Sequence, residues 1–126
     1  MEILFRITGK VKQGNNQGKA LGFPTANIAH KTTIPEGIYT AFVLLDGKLY
    51  NAVSFVGAAK TFDRTDSNVE SYILDFQQEI YGKKITVQLL TFLRPNQKFR
   101  SAEELVEQMK VDVTTAKAFF KEQGLL

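Results

Sequence analysis

Ile38-Tyr39-Thr40-Ala41-Phe42-Val43-Leu44-Leu45-Asp46-Gly47-Lys48-Leu49-Tyr50-Asn51-Ala52-Val53-Ser54-Phe55-Val56-Gly57 reads as two strands and the turn that joins them. Aromatic and β-branched residues fill both arms, and Asp-Gly is a pair that readily takes the positive φ angles of a two-residue hairpin. Working toward the N-terminus, Ile3, Phe5, Ile7 and Val11 alternate with Leu4, Arg6, Thr8 and Lys10, the two-residue period of a half-buried strand. Toward the C-terminus the polar stretch from Lys60 to Asn68 reads as a loop. Val69 to Phe76 and Lys84 to Leu93 then read as two more strands with a Tyr81-Gly82 turn between them.

The pattern changes at Ser101. Ser101-Ala102-Glu103-Glu104 has the form of a capping box, in which serine accepts from an early helix N–H and the glutamate reaches back. Ala102, Leu105, Val106 and Met109 follow at helical spacing and predict a seam against the sheet. A second cap is read at Asp112, opening a terminal helix with Val113, Ala116, Phe119 and Phe120 on its apolar side and Gly124 as its stop. Consecutive strands followed by a helical tail predict a mainly β protein, an antiparallel barrel with helices packed on one side. One domain is expected over residues 1–126, with the barrel over about 1–94 and the helical segment over about 101–123.

Composition narrows the chemistry. The chain of 126 residues has 44% hydrophobic content and no cysteine, which excludes disulfide scaffolds, thiolate zinc sites and cysteine nucleophiles. Its single histidine, His30, excludes a histidine-pair metal site and reads as a turn residue, while Tyr39 reads as core. The net charge of +3 is dispersed, with no arginine-rich run and no tryptophan, so a nucleic-acid partner is not expected. No window approaches the roughly 18 apolar residues of a membrane helix, so the expectation is a soluble, cytoplasmic monomer with no membrane partner.

The segment from Gly14 to Asn27 carries the functional signal. Gly14, Gly18 and Gly22 allow backbone N–H groups to approach phosphates, and Lys19 adds a cation. It is not a Walker loop. Only three residues separate Gly14 from Gly18, Ala20 follows Lys19 where Ser or Thr belongs, and Pro24 arrives too soon for a helix. Thr25 and Asn27, two apart in extended chain, point to one side and can offer neutral oxygens to a hard cation, or serve as turn and capping residues.

The ordered motifs Gly9-x-Val11-x-x-Gly14, Gly18-Lys19-x-Leu21-Gly22-Phe23-Pro24-Thr25-Ala26-Asn27-Ile28, Pro35-x-Gly37-Ile38-Tyr39, Val69-Glu70-Ser71-Tyr72-Ile73-Leu74-Asp75-Phe76, Tyr81-Gly82 and Phe92-Leu93-Arg94-Pro95 with Lys98-Phe99 span nearly the whole chain. In this series the sequence resembles the riboflavin kinase domain of bacteria and eukaryotes. The resemblance implies a six-stranded Greek-key barrel with a C-terminal helix, and transfer of the ATP γ-phosphoryl group to the riboflavin 5′-hydroxyl to give FMN and ADP. It implies Mg²⁺ as the metal, held by Thr25 and Asn27, with Gly14, Gly18, Lys19, Gly22 and Pro24 completing the ATP and phosphate site. Neutral ligands bind Mg²⁺ weakly, so little affinity is expected without nucleotide.

Glu70 aligns with the family's catalytic base. On a strand it shares a face with Tyr72, Leu74 and Phe76, and a carboxylate at the end of an apolar row has a raised pKa suited to accepting a hydroxyl proton. Thr25, Asn27 and Glu70 are expected to converge on one pocket. The family's flavin slot maps to Arg94, Phe99 and Leu105; Arg94 serves it or pairs with a surface carboxylate, and Phe99 lines it or staples the helix start.

Two departures from the family pattern stand out. Ala58-Ala59-Lys60-Thr61-Phe62 lacks a proline usual before Thr-Phe, and Tyr72 stands where bacterial members often have histidine. Met1 directly precedes the first strand, leaving no room for the adenylyltransferase domain bacterial relatives commonly carry, so the expected reaction stops at FMN. The alternative is an inactive flavin- or nucleotide-binding regulatory barrel; a retained Glu70 argues against it.

Overall fold

The computed structural model describes residues 1–12, 25–30, 33–58 and 67–126. Among these residues six strands, β1 (Phe5–Lys10), β2 (Ala26–His30), β3 (Gly37–Leu45), β4 (Lys48–Ala58), β5 (Ser67–Ile73) and β6 (Lys84–Arg94), precede one helix, α1 (Ala102–Glu122). They form one sheet in the order β1-β6-β3-β4-β5-β2, with every neighbouring pair antiparallel. β3, β4 and β5 are consecutive neighbours and β6 returns beside β3, which is the Greek-key order. The sheet nearly closes on itself where the Lys12 N–H donates to the Asn27 carbonyl at 2.8 Å. The expected barrel is therefore present. No helix among the described residues is long and apolar enough to cross a membrane.

The hairpin forms as its turn chemistry dictates. Asp46 and Gly47 have φ angles of 51° and 79°, and Leu45 faces Lys48 across the first rung. β3 is buried on both faces. Tyr39, Ala41 and Val43 point into the barrel with Ile28, Val56, Val69, Val87 and Leu89, whereas Ile38 and Phe42 join Val53, Leu90, Ala116 and Phe120 in a second cluster beneath α1. That double burial explains why its apolar residues run on without polar interruption. At the start of β3, Gly37 has φ 151°, and a Cβ there would lie 2.4 Å from the Phe92 ring and 2.7 Å from the Arg94 carbonyl oxygen. Only glycine lets β3 and β6 approach at this bulge.

Three expectations are corrected. The strand read from Val69 to Phe76 ends at Ile73, because Asp75 turns the chain with φ 54°, a conformation aspartate tolerates. Glu70 and Tyr72 keep a common face, but Phe76 packs instead on the inner core, edge-on to Tyr50 with ring centres 5.0 Å apart. His30 is no turn residue; it is the buried last residue of β2.

The third correction is the second helix. α1 runs unbroken through Asp112, whose side chain is only 3% exposed and accepts from Arg94 rather than capping backbone. The ion pair removes the reason to break the helix there. Ser101 does cap the start, with the Glu104 N–H donating to its Oγ at 3.2 Å, while Glu104 accepts in return from the Arg100 N–H at 2.8 Å. The buried stripe is Met109, Asp112, Ala116 and Phe120, and Ala102 lies outside it, exposed. At the far end Gly124 takes φ 74°, and Leu125 N–H reaches back to the Phe120 carbonyl at 2.8 Å, a Schellman closure.

Candidate functional site

β2 and β5 lie antiparallel, and their register sets Asn27 opposite Glu70. The Asn27 Nδ2 donates to Glu70 Oε1 at 3.4 Å, a long contact that holds the two side chains together weakly. Glu70 also faces Phe55 of β4 across the ladder. It is half-buried, and burial raises its carboxyl pKa above the ordinary glutamate value, because removing water disfavours the charged form.

Asn27 is 4% exposed, and its Oδ1 has no hydrogen-bond partner among the described residues. A buried amide oxygen left unpaired destabilises the fold by about 1–3 kcal/mol, so its retention points to something that coordinates or donates to it. A hard cation fits this neutral oxygen. Thr25 immediately precedes β2, half-buried, and lines a cavity of about 500 Å³ at the barrel mouth together with Val11, Ala26, Ser71, Phe76 and Ile80. The structure thus brings Asn27 and Glu70 into contact. It does not put all three expected residues in one pocket: Thr25 lines the cavity, and Asn27 and Glu70 do not.

Gly14, Gly18, Lys19, Gly22 and Pro24 lie outside the described residues, as does most of the Ala58–Phe62 departure. In the cavity wall, Ser71 is hydrogen-bonded to Ser54 at 2.7 Å with both side chains buried. Tyr39 is core, as expected: burial raises its pKa, and its hydroxyl donates to the Pro35 carbonyl at 2.6 Å.

A second cavity of about 490 Å³ lies between residues 97–101 and the outer side of α1. Phe99 lines it with Gln97, Glu104, Gln108 and Val111; Leu105 is half-buried on the same helix and does not line it. Arg94 lies at the end of β6 in an ion pair with Asp112, its Nε and Nη2 donating to Oδ1 and Oδ2 at 2.8 and 2.7 Å. Sequence reasoning missed Asp112 as a partner. The signal was present, since a carboxylate between Met109 and Ala116 on the apolar stripe of a helix requires a buried cation.

Comparison with known proteins agrees with the fold. The sequence matches the riboflavin kinase family over residues 1–120. It is 41% identical over 122 residues to the trifunctional protein RibF/MnmA of Mycoplasmoides gallisepticum, covering 94% of this chain and 19% of that protein. With the bifunctional riboflavin kinase/FMN adenylyltransferase of Haemophilus influenzae it shares 40% identity over 119 residues, covering 92% of this chain and 39% of the relative. The chain therefore spans well under half the length of these relatives. Its fold superposes on the riboflavin kinase of Trypanosoma brucei with a TM-score of 0.64 at 26% identity, covering 95% of this chain and 82% of the other. With the family match spanning nearly the whole sequence and the fold shared with a riboflavin kinase, the chain belongs to the riboflavin kinase family.

Proposed function

We propose that this domain transfers the γ-phosphoryl group of Mg·ATP to the 5′-hydroxyl of riboflavin, yielding FMN and ADP. The observation that carries the reading is the cross-strand pair Asn27–Glu70: a carboxylate made more basic by burial, touching an amide whose oxygen is free for a cation.

Glu70 accepts the proton of the riboflavin 5′-hydroxyl as that oxygen bonds to the γ-phosphorus and the bond to the bridging oxygen breaks, releasing ADP. Little else is asked of the protein than position and charge. Thr25 and Asn27 would hold the Mg²⁺ that arrives with ATP, which supplies positive charge to the phosphate oxygens. The Asn27 amide N–H₂ restrains the Glu70 carboxylate from one side, leaving its second oxygen for the acceptor hydroxyl. The cavity rimmed by Thr25 has the volume and apolar lining for a nucleoside, and Gly14, Gly18, Lys19, Gly22 and Pro24 are assigned to the phosphates. Phe99 and Leu105 belong to the flavin side, where the second cavity lies.

The test is incubation of the chain with riboflavin and Mg·ATP, with FMN resolved by chromatography. FMN formation is expected. Its absence under conditions where the chain is folded rejects the kinase reading and leaves the inactive binding barrel.

A further inference from the structure

The Arg94–Asp112 pair is more than helix glue. Asp112 Oδ1 accepts from both Arg94 Nε, at 2.8 Å, and Gln108 Nε2, at 3.2 Å, while Oδ2 accepts from Arg94 Nη2 at 2.7 Å. The remaining guanidinium nitrogen, Arg94 Nη1, donates to the Pro95 carbonyl at 3.1 Å. All three nitrogens are thus engaged. Next in the chain, the Asn96 side chain donates to the Val56 carbonyl of β4 at 3.1 Å. The segment 95–101 is therefore tied down at its start by Arg94 and Asn96 and at its end by the Ser101–Glu104 cap.

This segment is one wall of the second cavity, through Gln97 and Phe99, and α1 is the other, through Glu104, Gln108 and Val111. Asp112 does not line that cavity, yet it holds both walls: Gln108 directly and the 95–101 segment through Arg94. A buried ion pair is not needed for stability alone, because apolar residues of similar volume commonly serve as well or better. What a bidentate carboxylate–guanidinium pair adds is fixed geometry.

We infer that Asp112 is a positioning residue that sets the separation of the segment 95–101 from α1, and with it the affinity of the cavity between them for the flavin acceptor. The inference rests on the flavin assignment above. Asp112→Asn keeps shape but offers an N–H₂ where Arg94 needs an acceptor. It is expected to weaken riboflavin binding, read by flavin fluorescence, by about tenfold or more, with KM for Mg·ATP changed less than about twofold. Asp112→Glu, which keeps the charge, recovers part of the loss. The double variant Arg94→Met, Asp112→Leu keeps the helix docked by apolar contact but loses the Pro95 anchor, and is expected to retain its melting temperature while losing riboflavin affinity.

Amide hydrogen exchange gives a second readout that needs no ligand: residues 96–101 exchange faster in Asp112→Asn, and the β3–β4 hairpin does not. Unchanged exchange and unchanged riboflavin affinity in a folded Asp112→Asn protein overturn the inference. So does a Met–Leu pair that binds riboflavin as the parent does, or an equal loss toward ATP and riboflavin. If the unsubstituted chain binds no riboflavin, the flavin assignment fails on its own, and the exchange measurement alone upholds or rejects the clamp.

Discussion

The β3–β4 hairpin and the β2–β5 pair are antiparallel ladders in the same sheet, but they treat their polar groups in opposite ways. In the hairpin wall the buried hydroxyls are all paired: Thr40 with Thr91 and Ser54 with Ser71 across strands, and Tyr39 with the Pro35 carbonyl. On the β2–β5 side, Asn27 Oδ1 and Asn68 Oδ1 are buried without partners among the described residues, and Glu70 is held partly out of water. One wall has its buried polar groups paired, and the other carries groups left unpaired among the described residues, which the proposed function assigns to the substrates. Breaches of the local rules of folding tend to mark functional sites, and among the described residues these two unpartnered amide oxygens lie on one strand pair.

The sharpest way to break this contrast is to exchange the effects of the two walls by substitution. Glu70→Gln retains shape and removes the base, so kcat is expected to fall by about 10²–10⁴-fold, as for loss of a general base. FMN formation under saturating substrates measures it. Unimpaired turnover in Glu70→Gln would remove Glu70 as base and leave the wall's unsatisfied groups without a catalytic purpose. In the parent, kcat/KM should drop as pH falls through the Glu70 pKa, and that limb should lie above the ordinary glutamate value because burial raises it.

Gly37→Ala tests the other wall. The added methyl meets the Phe92 ring and the Arg94 carbonyl at impossible distances, in a backbone region that side chains rarely adopt. A loss of roughly 3 kcal/mol of unfolding free energy is expected by urea denaturation, from strain and overpacking together. A loss below about 1 kcal/mol would mean that the tight β3–β6 approach is not the fixed point its geometry indicates.

Asn27→Ala should separate stability from ligand binding at a single position. Removing an unpaired buried oxygen relieves one penalty while the lost amide contact to Glu70 is long and weak, so the unfolding free energy should change by less than about 1 kcal/mol without nucleotide. KM for Mg·ATP should rise, by about tenfold. A large loss of stability with unchanged KM would make Asn27 an ordinary structural residue.

The fold was legible in the sequence wherever local chemistry and tertiary packing agree. Asp46-Gly47, the Ser101 cap, the Gly124 stop and the alternation of β1 each act within a few residues, and each took its expected form. Errors arose where a distant partner decides. Asp112 looks like a cap until Arg94, eighteen residues earlier, is seen to neutralise it within a continuous helix. Phe76 follows strand parity on paper, but the turn at Asp75 sends it into the inner core beside Tyr50. Of the site, the facing of Asn27 and Glu70 follows from strand register, which no pattern in either segment specifies alone. The position of Thr25 on the barrel-mouth cavity depends on Phe76 and Ile80 folding back over the barrel end.

The smallest expected effect is also the most direct measure of the strain in the site wall. The folded pKa of Glu70 is raised above its unfolded value, so between the two the folded state holds more protons than the unfolded state. Stability therefore falls as pH rises through that window, and the full penalty is present above the folded pKa. Glutamine at position 70 does not titrate. Glu70→Gln should accordingly unfold at a slightly higher temperature than the parent near neutral pH, and the advantage should shrink to nothing as pH is lowered below the ordinary carboxylate range. Thermal unfolding of the two proteins across that range, without nucleotide or flavin, is the measurement. An advantage that grows in acid would mean that Glu70 is stabilised as a charge in the fold. The site wall would then be as well satisfied as the hairpin wall, and the contrast between them would disappear.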